Sequence, residues 1–215
     1  MVLRLIALVS LAFLVACGAP ADIDKEPRVT MGDFRLGHTI VVSNSPEKAP
    51  FSRDASDAEL IAGLEQAIAD RFGPYQGDKF YHIGVKIDLY GLARPGVPVV
   101  FNPKSVYVVT LNIWDDAAGE RLTEEGGKAL TVFEGASKET LISSGLMRSR
   151  DKQLAVMSAN VAKAIQDYIL ENPEWVGLTA DQVGQPAPPL VDESAEGGEG
   201  DETTPDSAQP VPANQ

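Results

Sequence analysis

Apolar positions recur along the chain with two different periods. Phe34, Leu36, His38, Ile40 and Val42 alternate with polar or small residues, which predicts a half-buried strand, and Asn44 to Pro50 then reads as a loop. Ser56-Asp57-Ala58-Glu59 has the spacing of a capping box, and Leu60, Ile61, Leu64, Ala67, Ile68 and Phe72 follow at helical intervals until Gly73-Pro74. Between Phe80 and Tyr90 the period returns to two: Tyr81, Ile83, Val85, Ile87 and Leu89 share one face, and His82, Lys86 and Asp88 the other. Val106 to Trp114 is denser in β-branched residues and predicts a central strand, closed by the turn Asp115 to Gly119, and Lys128 to Glu134 predicts a last, shorter one. A closing helix begins between Ser149 and Gln153, carries Leu154, Met157, Val161, Ala164, Ile165 and Tyr168 on one stripe, and stops at Asn172-Pro173. The order β-α-β-β-β-α predicts an α+β fold: a mostly antiparallel four-stranded sheet with two helices packed on one face.

The ends do not share this patterning. Leu5 to Ala16 is an apolar run preceded by Arg4, shorter than the roughly 20 residues that a spanning helix needs, so residues 1–16 read as an export signal. Residues 17–27 read as a tether, 28–176 as a single domain and 177–215 as an acidic tail rich in Pro and Gly. From Gly184 on, that tail has Leu190, Val191 and Val211 as its only large apolar residues. Such a segment cannot bury enough surface to offset the entropy of ordering it.

The whole chain carries a formal charge of −13. Much of it falls in the tail, and the rest of the chain remains acidic, which argues against nucleic acid as a partner. Cys17 is the single cysteine, so no disulfide can form within the chain.

Leu14-Val15-Ala16-Cys17 resembles the lipobox of bacterial lipoproteins. That resemblance implies cleavage before Cys17, a diacylglyceryl group on its sulfur and attachment to the membrane through lipid. Gly18 stands where an Asp commonly signals retention at the inner membrane, which implies the periplasmic face of the outer membrane. The element order over residues 28–172, with the strand and acidic turn Leu111 to Gly119, resembles small envelope lipoproteins of α/β sandwich fold. That group includes the lipopolysaccharide-assembly lipoprotein and the amino-terminal domain of the Tol-system propeller protein. The resemblance implies a fold and a broad role in the envelope, and no functional residue.

Ser149-Arg150-Asp151-Lys152 matches the S-x-x-K pattern of penicillin-binding enzymes, with Ser158-Ala159-Asn160 as a would-be companion, but the companion falls on the same helix and no K-T-G strand follows. His38 and His82, the two histidines, could join Asp88 or Asp33 at a metal, and Asp115-Asp116 or Glu124-Glu125 could meet Ca²⁺. None has a ligand spacing that commits it. Neither enzyme chemistry nor a cofactor is therefore expected. Two features suggest contact with a partner. The connection Gly91 to Lys104 holds Leu92, Val97, Val99, Val100 and Phe101, more apolar surface than a loop requires, and Lys138, Arg148, Arg150 and Lys152 form a basic cluster at a helix start. The expected role is a lipid-anchored, non-enzymatic accessory or assembly factor that binds an envelope protein. The alternative is a carrier with a lipid or small-ligand pocket between sheet and helices.

Overall fold

A computed structural model describes residues 28–94, 105–134 and 149–188. Five strands form one sheet: β1 (Phe34–Lys48), β2 (Lys79–Gly91), β3 (Val106–Asp115), the two-residue β4 (Glu120–Arg121) and β5 (Lys128–Phe133). Helix α1 (Asp57–Phe72) links β1 to β2, and α2 (Arg150–Leu170) follows β5. β1 and β2 run parallel, as a crossover helix requires. The other pairs are antiparallel, with β3 beside β2 on one flank and β4 and β5 on the other. The fifth strand is the small β4, which is too short to leave an alternating pattern in the sequence.

Both helices cover one face. Leu60, Leu64, Ile68 and Phe72 of α1 and Met157, Val161 and Ile165 of α2 are buried with Tyr81, Ile83, Val85, Tyr107, Val109 and Leu111 of the sheet. The capping box is present: Ser56 Oγ accepts the Glu59 N–H, and the Glu59 carboxylate accepts the Ser56 N–H at 2.8 Å. Ser149 Oγ caps α2 by accepting the Lys152 N–H at 3.2 Å. Tyr81, stacked on Phe34, donates its hydroxyl to the Trp175 carbonyl at 2.6 Å, and burial pushes its ionisation up to about 12.

Two differences from the sequence reading bear on function. β1 does not stop at Ser43 but continues to Lys48, and its ladder with β2 shifts twice, between Leu36 and Thr39 and again between Ser43 and Glu47. An extra residue at the first shift exchanges the faces of everything after it. Val41 enters the core, while Ile40 and Val42, expected on the buried face, lie outside at 62% and 47% exposure. The same device acts in β2, where a shift between Ile87 and Leu89 turns Tyr90 inward in place of Leu89.

The second difference is at the carboxyl end. Residues 177–188, assigned above to the tail, belong to the domain. Leu178 is buried, Thr30 donates to the Gln185 carbonyl at 2.8 Å, and Ala187 donates to the Arg28 carbonyl at 2.7 Å. The polar composition of the segment concealed this, because it is held by backbone bonds to Arg28 and Thr30 and needs few apolar side chains.

Candidate docking face

The outer face of the sheet has no element packed on it among the described residues. Side chains of one parity along each strand point there: His82, Gly84 and Lys86 on β2, Asn112 and Trp114 on β3, and Ile40 and Val42 on β1 after the bulge. The pairing sets Ile40, Gly84 and Asn112 in one row and His82 beside Trp114 in the next. Trp114 is 43% exposed, and Phe80 and Phe133 are also exposed on this side. Gly84 leaves a bare spot between Ile40 and Asn112. A Cβ built there would touch only Asn112, at an ordinary 3.8 Å. The result is a shallow dent floored by backbone and walled by an aliphatic, an amide, an indole and an imidazole.

One corner is held by the histidine pair. The His38 N–H donates to His82 Nδ1 at 2.9 Å, so Nδ1 is the unprotonated nitrogen and Nε2 donates to Asp116 Oδ1, also at 2.9 Å. The two rings stack with centroids 5.1 Å apart. The bulge in β1 is built on this contact, since the His82 ring supplies the acceptor that the interrupted ladder withholds from His38. Gly37 makes room for the ring: a Cβ there would lie 2.5 Å from Nδ1. Neither Asp88 nor Asp33, the companions expected for these histidines, meets the His82 ring. The structure gives Asp116 instead, because β3 pairs Trp114 with His82 and so brings the following turn beside the ring, whereas Asp88 lies six residues along β2 and is engaged by Lys86 at 2.5 Å and by the Thr110 hydroxyl at 2.6 Å. Both nitrogens of His82 are occupied, and no group of three or more metal-ligating side chains occurs among the described residues.

The other candidates separate. Leu92 is buried at the end of β2, with its N–H on Ser52 Oγ and its carbonyl on the Arg53 N–H, so it belongs to the core and not to a contact surface. Val97, Val99, Val100, Phe101, Lys138, Arg148 and Cys17 lie outside the described residues. Lys152 is exposed. Arg150, read as part of a basic contact, is spent inside the domain: its guanidinium pairs with Glu59 and Asp151 and donates to the Asp54 carbonyl at 2.6 Å, tying the start of α2 to the start of α1. Ser149 is the cap of α2, and Ser158 is fully buried.

The Arg150 guanidinium, with the N–H and hydroxyl of Ser56, holds the Glu59 carboxyl down at about 2, against an ordinary 4.5. A carboxyl depressed in the folded state stabilises fully above its unfolded value and loses that contribution as pH falls through its folded one. Glu59→Gln is therefore expected to flatten the decline of stability between about pH 4.5 and 2. An acid unfolding profile parallel to that of the native chain would show that the pair does not contribute.

On the opposite side of the molecule a groove of about 1580 Å³ runs between α1 and α2, lined by small residues such as Ala62, Gly63, Ala155 and Ala159. The Glu59–Arg150 pair and the Arg71–Gln166 hydrogen bond lie along it. The space between sheet and helices, where a carrier pocket was the alternative, is filled by core side chains of the described residues. Among those residues no helix is long and apolar enough to cross a membrane.

No family model matches the chain, and neither does any characterised protein sequence. Solved structures give distant likenesses. A Caulobacter crescentus protein described as a lipoprotein is 13% identical over 64% of this chain and 89% of its own, with a TM-score of 0.30. A Xanthomonas campestris protein of the DUF330 family is 13% identical over 73% and 89%, at 0.37. A minor lipoprotein of Acinetobacter baumannii is 15% identical over 63% and 93%, at 0.26. Scores this low assign the chain neither a relative nor a function.

Proposed function

We propose that this chain is an exported lipoprotein, anchored through Cys17, whose domain acts without catalysis by holding a protein of the cell envelope on the open face of its sheet. The address rests on the signal, the lipobox and Gly18, which favour the periplasmic face of the outer membrane. The observation that carries the binding role is the sheet face that no described element covers, with Ile40, Val42 and Trp114 exposed about the dent at Gly84 and Phe80 and Phe133 exposed farther along the same face. Helices shield the other face of the same sheet, so the contrast between faces is one of construction. Exposed aromatic and aliphatic side chains around a polar rim match the anchors that dominate protein interfaces. The acidic balance of the chain favours a protein over a nucleic acid as partner.

In-cell crosslinking tests this reading. A photoreactive residue in place of Trp114 is expected to capture one envelope protein in high yield, while the same residue in place of Ala155, on the helical side, captures none. Equal capture from both sides would show that the sheet face has no special part.

A further inference from the structure

The contact on which the first bulge in β1 is built exists only while the His82 ring is neutral. Nε2 holds the single ring proton and donates it to Asp116 Oδ1, and Nδ1 accepts the His38 N–H, both at 2.9 Å. A second proton goes to Nδ1, the one nitrogen that lacks one, and N–H then faces N–H where a hydrogen bond was. Turning the ring over does not help, because both nitrogens of an imidazolium are donors. The ring also lies against the backbone at Gly37, where a Cβ would come within 2.5 Å of Nδ1, so the strand feels any movement of the ring.

We propose that this bulge is a proton-operated latch: neutral His82 holds β1 in the form that turns Ile40 and Val42 outward, and the imidazolium releases the His38 amide and loosens the strand from Gly37 to Val42. The groups around the ring decide which of its two bonds gives way. Asp116 holds a charged Nε2–H more tightly than a neutral one, since the bond becomes charge-assisted, so the ring stays with the turn after β3 and the His38 bond is lost. Against a charge on His82 stand the His38 ring, stacked at 5.1 Å, and Arg121, in the same cross-strand row beyond Trp114. Arg35 is turned to the Phe80 ring, Lys86 is held by Asp88, and Asp115 and Glu120 fall on the other parity of the ladder. His38 is exposed, so its freed N–H goes to water and the buried core around Phe34 is left in place. Imidazole is the side chain whose ordinary change of charge falls between about pH 5 and 8, and that interval is where the latch is read. Its effect on a partner rests on the docking role proposed above, whereas the latch itself lies in the strand and is read without any partner.

The test is NMR of the isotope-labelled full chain in detergent between about pH 8 and 5, following the ring nitrogens of His82 and the hydrogen exchange of backbone amides, corrected for its intrinsic pH dependence. The expected result is that the His38 amide loses at least about fivefold in protection, the worth of one hydrogen bond, in step with protonation of His82, while the amides of α1 keep theirs. His38→Gln retains the backbone N–H and the His82 ring, and is expected to show the same loss. His82→Gln supplies a carbonyl acceptor that does not titrate, and is expected to hold the protection constant. Constant protection of His38 while His82 titrates, a His82 ring that stays neutral down to about pH 5, or a loss that disappears in His38→Gln would each overturn the latch. The protein captured from Trp114 is expected to bind more weakly across the same step. An affinity that does not follow the opening of the strand would remove Ile40 and Val42 from the docking contact and leave the latch standing.

Discussion

Phe34→Ala is expected to cost about 3–5 kcal/mol of stability, the range for removing a buried aromatic ring, whereas Ile40→Ala, six residues on in the same strand, stays within about 0.5 kcal/mol. Phe34 has no exposed surface. Its ring stacks on Tyr81 with centroids 5.2 Å apart, and meets Phe72 at 5.4 Å and Tyr75 edge-on at 6.3 Å. These neighbours come from β2, from the end of α1 and from the turn after it. The Tyr75 hydroxyl in turn donates to the Val29 carbonyl at 2.9 Å and accepts from Gln166 of α2 at 2.8 Å. Alanine at position 34 leaves a hole where four parts of the fold meet. Urea unfolding measures the effect as a lowered midpoint at unchanged slope. Comparable losses for the two variants would mean that the bulge in β1 does not separate an inward from an outward set, and the docking face would lose Ile40 and Val42.

That separation also marks where sequence reading succeeds and where it stops. Both helices were legible, because the stripes from Leu60 to Phe72 and from Leu154 to Ile165 have a single period; the capping box at Ser56 is a local signal that marked the start of α1, while the start of α2 was bounded only between Ser149 and Gln153 and the structure sets its cap at Ser149. The strands were legible as elements, and β2 and β3 also in their facing as far as their alternation is unbroken. The facing of β1 was not legible. Phe34 to Val42 alternates without interruption in the sequence, and nothing in it announces that the His82 ring, 44 positions away, will take the His38 N–H and turn the strand over. Gly37 is the one local trace of this event, visible only once the ring is seen against it. For the same reason Asp116 could not be chosen over Asp88 as the partner of His82, since that choice depends on the register of β2 and β3. Leu92 looked like loop surface because Ser52, which holds it in the core, is 40 residues distant. The open face as a whole is a property of which side the helices cover, and no short stretch of sequence encodes it.

The account's central claim is that the dent at Gly84 is a contact surface, and Gly84→Leu separates contact from stability. A glycine inside a strand loses more conformational entropy on folding than any other residue and packs no side chain, so replacing it on a solvent-facing position with ordinary strand geometry leaves stability unchanged or raises it by up to about 1 kcal/mol. The space is there, with Asn112 as the one neighbour at contact distance. A leucine in that position stands between Ile40 and Asn112 and fills the depression. If a partner inserts there, its closest approach is blocked and the loss is that of an interface hot spot, at least about 2 kcal/mol or roughly 30-fold in affinity. The decisive measurement is the affinity of the protein captured from Trp114 for the native chain and for Gly84→Leu, taken beside the melting temperatures of both. The account predicts at least about a 30-fold weaker complex for a variant that melts no lower than the native chain. Unchanged affinity would contradict it and would place the contact elsewhere on the molecule.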